Sequence, residues 1–347
     1  MTQEESIAIA RSLFGKSFPD IDRLLSIFDN SLVQRRHFAM PIEWYSQPHS
    51  LQERNDLFIK LATEYGIEAI NACLSSSEFL AGDVPSEEID AIFFVSTTGM
   101  ATPSIEARIM NRMSFSPRTR RIPIWGLGCA GGVAGIALAD AYCQANPRAK
   151  VILIALELCS LTFQLSDLSK SNLVGVSLFA DGVTCVLVAG EESKIPLSAG
   201  HPYRPKIRSS RTTLMPNSEG IMGWDVKDDG LYVVFSRNIP VVIRGWLKDN
   251  IEEYLTSEDL SLGDIRHFVA HPGGRKILEA YQDSLNIPEA MTRISRAVLA
   301  EHGNMSSPSV VYVLREFMLE SIGQGEIGLM TALGPGFSSE LLLLEWQ

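Results

Sequence analysis

The sequence predicts an α/β protein built from two similar halves. Apolar strand-like stretches alternate with amphipathic helix-like stretches along the chain, a pattern typical of a mostly parallel sheet flanked by helices. Each half also contains a strand, a Gly-rich turn bearing a reactive type of side chain, and then a helix. The length is sufficient for two halves, because the chain has 347 residues of which 46% are hydrophobic.

The first half is taken as residues 1–199. Apolar residues three and four positions apart predict helices over 2–28 (with interruptions), 50–76, 103–113 and 130–145. Ser50 and Glu53 have the spacing of a capping box at the start of the second of these. Apolar runs predict strands over 90–99, 121–129 (ending in a turn), 150–158 and 177–190 (beginning with a turn).

The second half is taken as residues 200–347, because 191–216 is rich in charge, proline and serine and suits a domain junction. Strands are predicted over 231–236 and 265–273, with two more inside 326–346 around a Gly-Pro-Gly turn. Helices are predicted over 239–255, 275–285, 294–304 and 307–321.

Composition excludes several classes of protein. With 30 basic and 41 acidic residues the formal charge is -11, which argues against binding nucleic acid through bulk charge. No signal peptide is expected, and the longest apolar runs are too short to cross a bilayer. The five cysteines lack metal-type spacing and predict free thiols in a reducing cytoplasm. Four of them are interpreted as small core residues: Cys73, Cys143, Cys159 and Cys185.

The fifth cysteine, Cys129, lies in the stretch GLGCAGGVAG between a predicted strand and a predicted helix. Unpaired N–H groups and the positive end of a helix dipole stabilise a thiolate there. The flanking glycines allow a tight turn and let an acyl substrate approach the backbone. The alternative is a small residue packed at a crowded strand–helix junction. The glycines alone do not decide between these interpretations.

A nucleophilic cysteine needs a base or a cationic neighbour, and His271 is the best candidate. It ends an apolar strand and precedes Pro-Gly-Gly, so its imidazole is expected at a strand tip, where sites collect in α/β sheets. His302 is better explained as a residue near a helix end. Asn304 follows Gly303 at a predicted helix end, where the pair by itself indicates only a C-cap.

Four motifs then resemble a known family. GLGCAGGVAG around Cys129, FVAHPGG around His271, HGNMSS around Asn304 and ALGPGFSSE near the end occur in the order and spacing of type III polyketide synthases. The resemblance covers nearly the whole chain. It implies a thiolase-like fold, with duplicated βαβ halves in an α-β-α-β-α layering. Within the family, stretches such as IPIWGLGCAGG and ALELCSLTFQ are most similar to Bacillus-type alkylpyrone synthases, which use long-chain fatty acyl-CoA starters.

The resemblance implies a mechanism for three residues. Cys129 is expected to attack the starter thioester and carry the growing chain, with His271 holding it as a thiolate–imidazolium pair. His271 and Asn304 are then expected to donate hydrogen bonds to the malonyl thioester carbonyl and stabilise the enolate left by decarboxylation. No metal or organic cofactor is expected, because the thioester provides the activation.

The resemblance also implies residues around the substrate. Phe179 matches a gatekeeping phenylalanine, while Val233 stands where plant members have a second, larger gatekeeper. Other expected cavity positions are Thr97, Thr102, Thr162, Ser306 and the loop Gly334, Pro335, Gly336 and Phe337. Thr102 is further expected on a loop that reaches the second subunit of a homodimer. Arg23, Arg275 and Lys276 are the candidate contacts for CoA.

The expected function is iterative condensation of malonyl-CoA onto a fatty acyl-CoA starter, giving triketide and tetraketide alkylpyrones, or alkylresorcinols by aldol closure. Two alternatives are a single condensation of the β-ketoacyl-carrier-protein synthase III type and acyl transfer without condensation. The first predicts an asparagine shortly after the histidine, where this chain has HPGG. Family members usually open with a strand before the first helix, whereas TQEES follows Met1 directly. The resemblance implies that the missing strand would belong to the central sheet.

Overall fold

The computed structural model describes residues 1–14, 21–200, 203–236 and 238–347, and their side chains except those of residues 9, 12–14 and 22–24. Helices of the first half are α1 Gln3–Phe14, α2 Ile21–Asp29, α3 Leu51–Leu74, α4 Ile105–Met110, α5 Gly131–Ala145 and α6 Lys170–Leu178. Its strands are β1 Ala91–Val95, β2 Arg120–Ile124, β3 Lys150–Leu158 and β4 Asp181–Ala189. The capping box expected at Ser50 is confirmed, since Glu53 N–H donates to the Ser50 hydroxyl at 3.2 Å.

The second half contains the remaining elements. Its strands are β5 Pro205–Leu214, β6 Met222–Lys227, β7 Gly230–Phe235, β8 Ile265–Ala270, β9 Ile327–Gly334 and β10 Ser338–Trp346. Its helices are α7 Ile239–Ser257, α8 Arg275–Leu285, α9 Arg293–His302 and α10 Ser307–Leu319. Strands β6 and β7 form a separate antiparallel hairpin.

The two larger sheets differ in strand direction. In the first sheet, ordered β2-β1-β3-β4, strand β1 runs parallel to both β2 and β3, and only β4 is antiparallel to its neighbour. This confirms the mostly parallel sheet expected there. The second sheet, ordered β5-β10-β9-β8, has one parallel pair, β8 with β9, and is otherwise antiparallel. It departs from the first because β9 and β10 are joined by a short turn, which requires antiparallel strands.

Helices α5 and α10 form the middle layer of the molecule. Their apolar side chains, such as Val133 and Val310, share one buried cluster with residues of both sheets, including Leu153 and Leu342. A second cluster packs α3 and α4 against the outer face of the first sheet, and a third packs α7 and α8 against the second sheet. The expected α-β-α-β-α layering is therefore confirmed. Helix α5 begins two residues after Cys129, and α10 begins three residues after Asn304.

Three elements were absent from the sequence prediction. Strand β5 alternates half-buried and exposed residues and carries Lys, Arg, Ser and Thr on its open face, so it lacks the apolar run of a buried strand. Strand β6 contains Gly, Asp and Lys among few apolar residues. Helix α6 has almost no amphipathic pattern, although its cap Ser169 accepts a hydrogen bond from Asn172 N–H at 3.1 Å. The division near residue 200 stays a prediction.

Candidate active site

Cys129 lies in a single 3₁₀ turn, Gly128–Ala130, between β2 and α5. Gly128 has φ +49°, and a Cβ added there would approach Pro335 Cδ to 2.8 Å. Side chains at Gly131 and Gly132 would overlap Val95 and the Ser307 carbonyl oxygen respectively. The glycines are therefore needed for close packing, as the crowded-junction interpretation held. That packing also holds the Cys129 turn against Ser307 and Pro335.

Hydrogen bonding from the Ser306 and Asn304 side chains acts to lower the pKa of the Cys129 thiol, against the larger effect of burial. The Asn304 Oδ1 accepts the Ser306 N–H at 2.8 Å, and its Nδ2 also donates to the Gly273 carbonyl at 3.3 Å. With the oxygen occupied in this way, the NH₂ group is turned toward the sulfur. The thiol is 7% exposed and Asn304 2% exposed, so both lie inside the protein.

Main-chain hydrogen bonds hold Asn304 in place from both sides. Its N–H donates to the Leu178 carbonyl at 2.9 Å, and its carbonyl accepts the Ala180 N–H at 2.9 Å. Together these form a short parallel bridge to Phe179. The carboxamide from the second half is thus fixed to the predicted gatekeeper from the first half.

His271 follows directly on β8, at the strand tip expected from the sequence. Its N–H donates to the Thr331 carbonyl at 2.8 Å, and its ring lies against Gly273, where an added Cβ would be 3.5 Å from its Cδ2. The same Gly273 carries the carbonyl that binds Asn304. The imidazole is 3% exposed, and no described residue hydrogen-bonds either of its ring nitrogens. Both nitrogens are free to bind a substrate.

Burial sets the protonation of these two groups. It raises the pKa of the Cys129 thiol to about 11 and lowers the pKa of the His271 imidazole to about 3. Removal from water disfavours the charged form of each group taken singly. Burial therefore works against the standing thiolate–imidazolium pair that the family resemblance implies, and favours the neutral form of both groups.

Glu157, near the end of β3, is a buried carboxylate that the sequence analysis missed. Its Oε1 accepts the Thr97 hydroxyl at 2.9 Å and the Ser307 hydroxyl at 3.1 Å, and its Oε2 accepts the Thr97 N–H at 2.9 Å and the Thr98 hydroxyl at 2.9 Å. Its negative charge contributes to the raised pKa of Cys129. Glu157 thereby joins the predicted cavity residue Thr97 to the start of α10. A lone glutamate within an apolar strand was the available signal.

The structure brings the two predicted gatekeepers together. A Cβ added at Gly175 would lie 3.4 Å from the Phe179 ring and 3.4 Å from Val233 Cγ1, so this glycine sits between them. The Phe179 ring also meets Phe235 edge-on, with centroids 6.5 Å apart. Phe179, Val233 and Gly175 therefore lie together, next to the main chain of Asn304.

The GPGF loop lies against the Cys129 turn. Gly334 faces the Leu127 carbonyl, which an added Cβ would approach to 2.5 Å, and Pro335 covers Gly128. Gly336 has φ +132°, and the buried Phe337 donates its N–H to the Ser218 hydroxyl. The loop thus forms part of the wall around the nucleophile.

Other predicted site residues lie farther out. Thr162 is buried, and its hydroxyl donates to the Cys159 carbonyl at 2.8 Å. Thr102 is exposed on a surface loop and has no place in the Cys129 cluster.

Two of the three candidate CoA contacts lie side by side on the surface. Arg275 and Lys276 are exposed at the start of α8, where Arg275 pairs with Glu279 at 2.7 Å. The side chain of Arg23 lies outside the described residues. These assignments stay predictions.

A cavity with a volume of about 1270 Å³ lies along β4. None of the predicted site residues lines it. Among the described residues, no cluster of three or more His, Cys, Asp or Glu is placed to hold a metal ion. No described helix is both long enough and apolar enough to cross a membrane.

Comparison with known proteins identifies the family. The sequence matches the N-terminal domain of chalcone and stilbene synthases over residues 22–192 and their C-terminal domain over residues 206–346. A chalcone synthase-like protein of Bacillus subtilis (strain 168) is 47% identical over 353 residues, covering 100% of this chain and 95% of that protein. An alpha-pyrone synthesis polyketide synthase-like protein of Mycobacterium tuberculosis is 27% identical over 332 residues, covering 93% and 82%.

A solved structure is similar over the full chain. The crystal structure of 1,3,6,8-tetrahydroxynaphthalene synthase from Streptomyces coelicolor A3(2), a bacterial type III polyketide synthase, matches with a TM-score of 0.91 at 30% identity, covering 100% of this chain and 95% of that one. Fold and site together define an acyltransferase of the thiolase fold. The chain belongs to the chalcone and stilbene synthase family of type III polyketide synthases. The expected fold, enzyme class and family are thereby confirmed.

Proposed function

We propose that this polyketide synthase extends a long-chain fatty acyl group on Cys129 with malonyl units and releases alkylpyrones. The substrates are a fatty acyl-CoA and malonyl-CoA, and the products are the triketide and tetraketide lactones. The observation that carries the proposal is the shared contact of Asn304, whose amide reaches both the Cys129 sulfur and the carbonyl of Gly273, beside His271.

Loading of the starter begins from neutral groups. As the Cys129 sulfur bonds to the thioester carbonyl carbon, its proton passes to His271, which is neutral because burial lowers its pKa to about 3. The tetrahedral intermediate collapses, the bond to the CoA sulfur breaks, and the imidazolium returns the proton to the leaving thiolate. During loading the Cys129 thiolate therefore exists only together with the His271 imidazolium, so neither ion is buried alone.

Extension uses the donors left around the sulfur. The malonyl thioester carbonyl accepts hydrogen bonds from the Asn304 NH₂ group and from the N–H of the neutral His271, and loss of carbon dioxide leaves an enolate on that oxygen. The enolate carbon attacks the acyl group on Cys129, the bond to the sulfur breaks, and the departing thiolate takes up a proton from solvent. Asn304 suits this role because Ser306 N–H holds its oxygen and keeps its NH₂ group directed into the site.

The starter is supported by the side chains at Phe179 and Val233. Val233 is smaller than the gatekeeper that plant members have at this position, and Gly175 between the two residues has no side chain, which favours a flexible alkyl chain. The similarity to the mycobacterial alpha-pyrone protein supports lactone release. Aldol closure to alkylresorcinols is the alternative product.

We also infer a homodimer that acts in the cytoplasm. Trp125 and Met100 are 52% and 44% exposed, and the Trp125 indole donates to the Gly99 carbonyl at 3.2 Å, which joins them in one apolar patch near Thr102. The free cysteines suit a reducing compartment. Sedimentation of the wild type and of Trp125→Glu tests the dimer, which the glutamate should dissociate and which a monomeric wild type would exclude.

The deciding experiment incubates the protein with palmitoyl-CoA and malonyl-CoA and analyses products by mass spectrometry. Release of carbon dioxide with triketide and tetraketide pyrones is expected from the wild type, and none from Cys129→Ala. Thr256→Ala, a substitution on the exposed face of α7, is the matched control and should retain activity.

Other outcomes separate the alternatives. A diketide alone would support a single condensation. Free fatty acid and CoA without carbon dioxide would support acyl transfer without condensation. Pyrones from Cys129→Ala would overturn the assignment of the nucleophile.

A further inference from the structure

The two larger sheets share one arrangement of three strands. Strands β1, β3 and β4 in the first sheet, and β8, β9 and β10 in the second, each form a parallel pair followed by an antiparallel neighbour. Strand β4 therefore corresponds to β10. The sheets differ at the next position, because β5 pairs with the far edge of β10, whereas within the described residues no strand pairs with the far edge of β4.

The open edge leaves β4 less buried than its counterpart. Residues 341–344 of β10 are all leucine and are at most 1% exposed. Residues 183–188 of β4 have the sequence VTCVLV, and all of them are only half-buried. A long apolar strand at the edge of a sheet is a template for pairing with another strand. The edge of β4 therefore has the composition of a strand that lies inside a sheet.

A groove runs beside this edge. The β4 groove is the cavity of about 1270 Å³ that is lined by β4, by β5 and by faces of α3, α5 and α10, including Ala72 of α3 and Val311 of α10. These helices cover opposite faces of β4, since Leu187 packs in the apolar cluster of α3 and Val188 in that of α5 and α10. The groove therefore lies between two helix layers, beside the sheet.

The volume of the β4 groove suits one strand. A residue in a packed strand occupies roughly 160 Å³, given a rise of about 3.4 Å, a strand spacing of about 4.8 Å and a layer spacing of about 10 Å. The cavity of about 1270 Å³ therefore holds about eight residues in extended conformation. Strand β4 itself has 9 residues, so the groove is as long as the edge that it follows.

We propose that the β4 groove is a docking site for an extended peptide of a partner protein, which adds to β4 as an antiparallel fifth strand of the first sheet. The direction follows from β5, which runs antiparallel to β10 at the corresponding edge. The peptide is apolar on both faces and rich in valine, isoleucine and threonine, because helices cover both sides of the groove. Main-chain hydrogen bonds to β4 provide the affinity.

A docked peptide acts on a strand that begins beside the catalytic residues. Strand β4 starts at Asp181, one residue after Ala180, whose N–H donates to the Asn304 carbonyl at 2.9 Å. Neither Cys129 nor His271 nor Asn304 lines the groove, so the peptide leaves the substrate site open. The proposal therefore does not depend on the choice of starter or product.

The test adds a synthetic peptide of about eight valine and threonine residues, with a lysine at each end, to the wild-type protein. Hydrogen exchange followed by mass spectrometry should show saturable slowing at residues 181–189, and the midpoint of thermal unfolding should rise with peptide concentration. These measurements require no variant that must fold. Unchanged exchange at residues 181–189 would overturn the proposal.

A modified peptide tests pairing through the main chain. Methylation of the main-chain nitrogens of two adjacent central residues keeps every side chain, but one of the two methyl groups faces β4 in either register. This peptide should lose the effect on exchange. If it still slows exchange at residues 181–189, the peptide binds without forming a strand and the proposal is wrong.

Two variants test the location. Ala72→Trp places a large ring in the groove from an exposed position of α3, and should weaken peptide binding about tenfold or more. Lys60→Trp is the matched control, since Lys60 is exposed on the same helix outside the groove, and it should bind the peptide as the wild type does. Equal binding by both variants would contradict the proposal. Exchange at residues 181–189 that slows with protein concentration alone would assign the edge to a second copy instead.

Discussion

The hydroxyl of Ser307 donates to Glu157 Oε1 at 3.1 Å, which joins the first residue of α10 to the end of β3 across the two halves. Asn304 lies three residues before this serine, and the same carboxylate binds Thr97. Glu157 therefore holds together the segments that carry the carboxamide and the predicted cavity threonine.

Replacing Glu157 by glutamine should destabilise the protein by roughly 2–3 kcal/mol, because an NH₂ group would face donors that now point at an oxygen. Chemical denaturation measures this loss. Glu87→Gln is the control, since Glu87 is exposed and the change there should stay within about 0.5 kcal/mol. Equal stability of the two variants would show that the buried hydrogen bonds at Glu157 contribute nothing.

The reactivity of Cys129 without substrate should rise with pH across the neutral range. Its pKa is raised to about 11, so the thiolate fraction, and with it the rate of alkylation by iodoacetamide, should increase about tenfold per pH unit between roughly pH 7 and 10. Peptide-resolved mass spectrometry distinguishes Cys129 from the other thiols. A rate already at its plateau near neutral pH would instead indicate a standing ion pair with His271.

The contribution of Asp181 to stability should fall as pH rises from about 4 to 7. Burial raises the pKa of Asp181 to about 7 from an ordinary 3.8, despite hydrogen bonds from Ser160 and Ala39. In this window the folded chain holds a proton that the unfolded chain has released, so the stabilisation, complete below pH 3.8, is lost as pH rises to about 7. One such group contributes a slope of about 1.4 kcal/mol per pH unit.

Denaturant unfolding at several pH values measures this slope, and Asp181→Asn should reduce it. Glu340 titrates in the same range, because burial raises its pKa to about 7, so Glu340→Gln should remove a further part. The wild-type slope also contains an opposite contribution from His271, whose lowered pKa makes stability rise with pH up to about 6.5, so the comparison with the variants is decisive. An unchanged slope in Asp181→Asn and in Glu340→Gln would contradict both assignments.

The side chains at Phe179 and Val233 should determine which starter lengths the enzyme accepts. Val233→Phe places a ring against Gly175 and Phe179, and should lower kcat/KM for palmitoyl-CoA about tenfold or more while affecting a short starter such as butyryl-CoA less. Val226→Phe, on the same hairpin but at a position 57% exposed, is the control and should leave both values unchanged. Equal losses for both starters would place the alkyl chain elsewhere.

The sequence was most informative where chemistry and local structure coincide. Cys129 in its glycine turn and His271 at its strand tip were both expected from neighbouring residues alone, and the structure has them there. Asn304 was ambiguous, since a Gly-Asn pair is also a common helix end. Only the family resemblance assigned it a role, and its contacts with Cys129 and Gly273 show where that side chain lies.

The features that could not be predicted from the sequence depend on contacts between segments that are far apart in the chain. The partners of Glu157 come from the loop after β1 and from the start of α10, and no local pattern links them. The effect of burial on His271 also had to await the structure, since a strand tip can be either exposed or enclosed.

The close approach of Gly132 to the Ser307 carbonyl has a consequence for how such an enzyme can diversify. No atom larger than hydrogen fits between these two backbones, so the spacing of nucleophile and carboxamide is dictated by main chain against main chain. Side chains that line the route of the alkyl tail take no part in that alignment. Mutation can therefore change the side chains around the alkyl tail to accept new starters, while the reacting atoms keep their positions relative to one another.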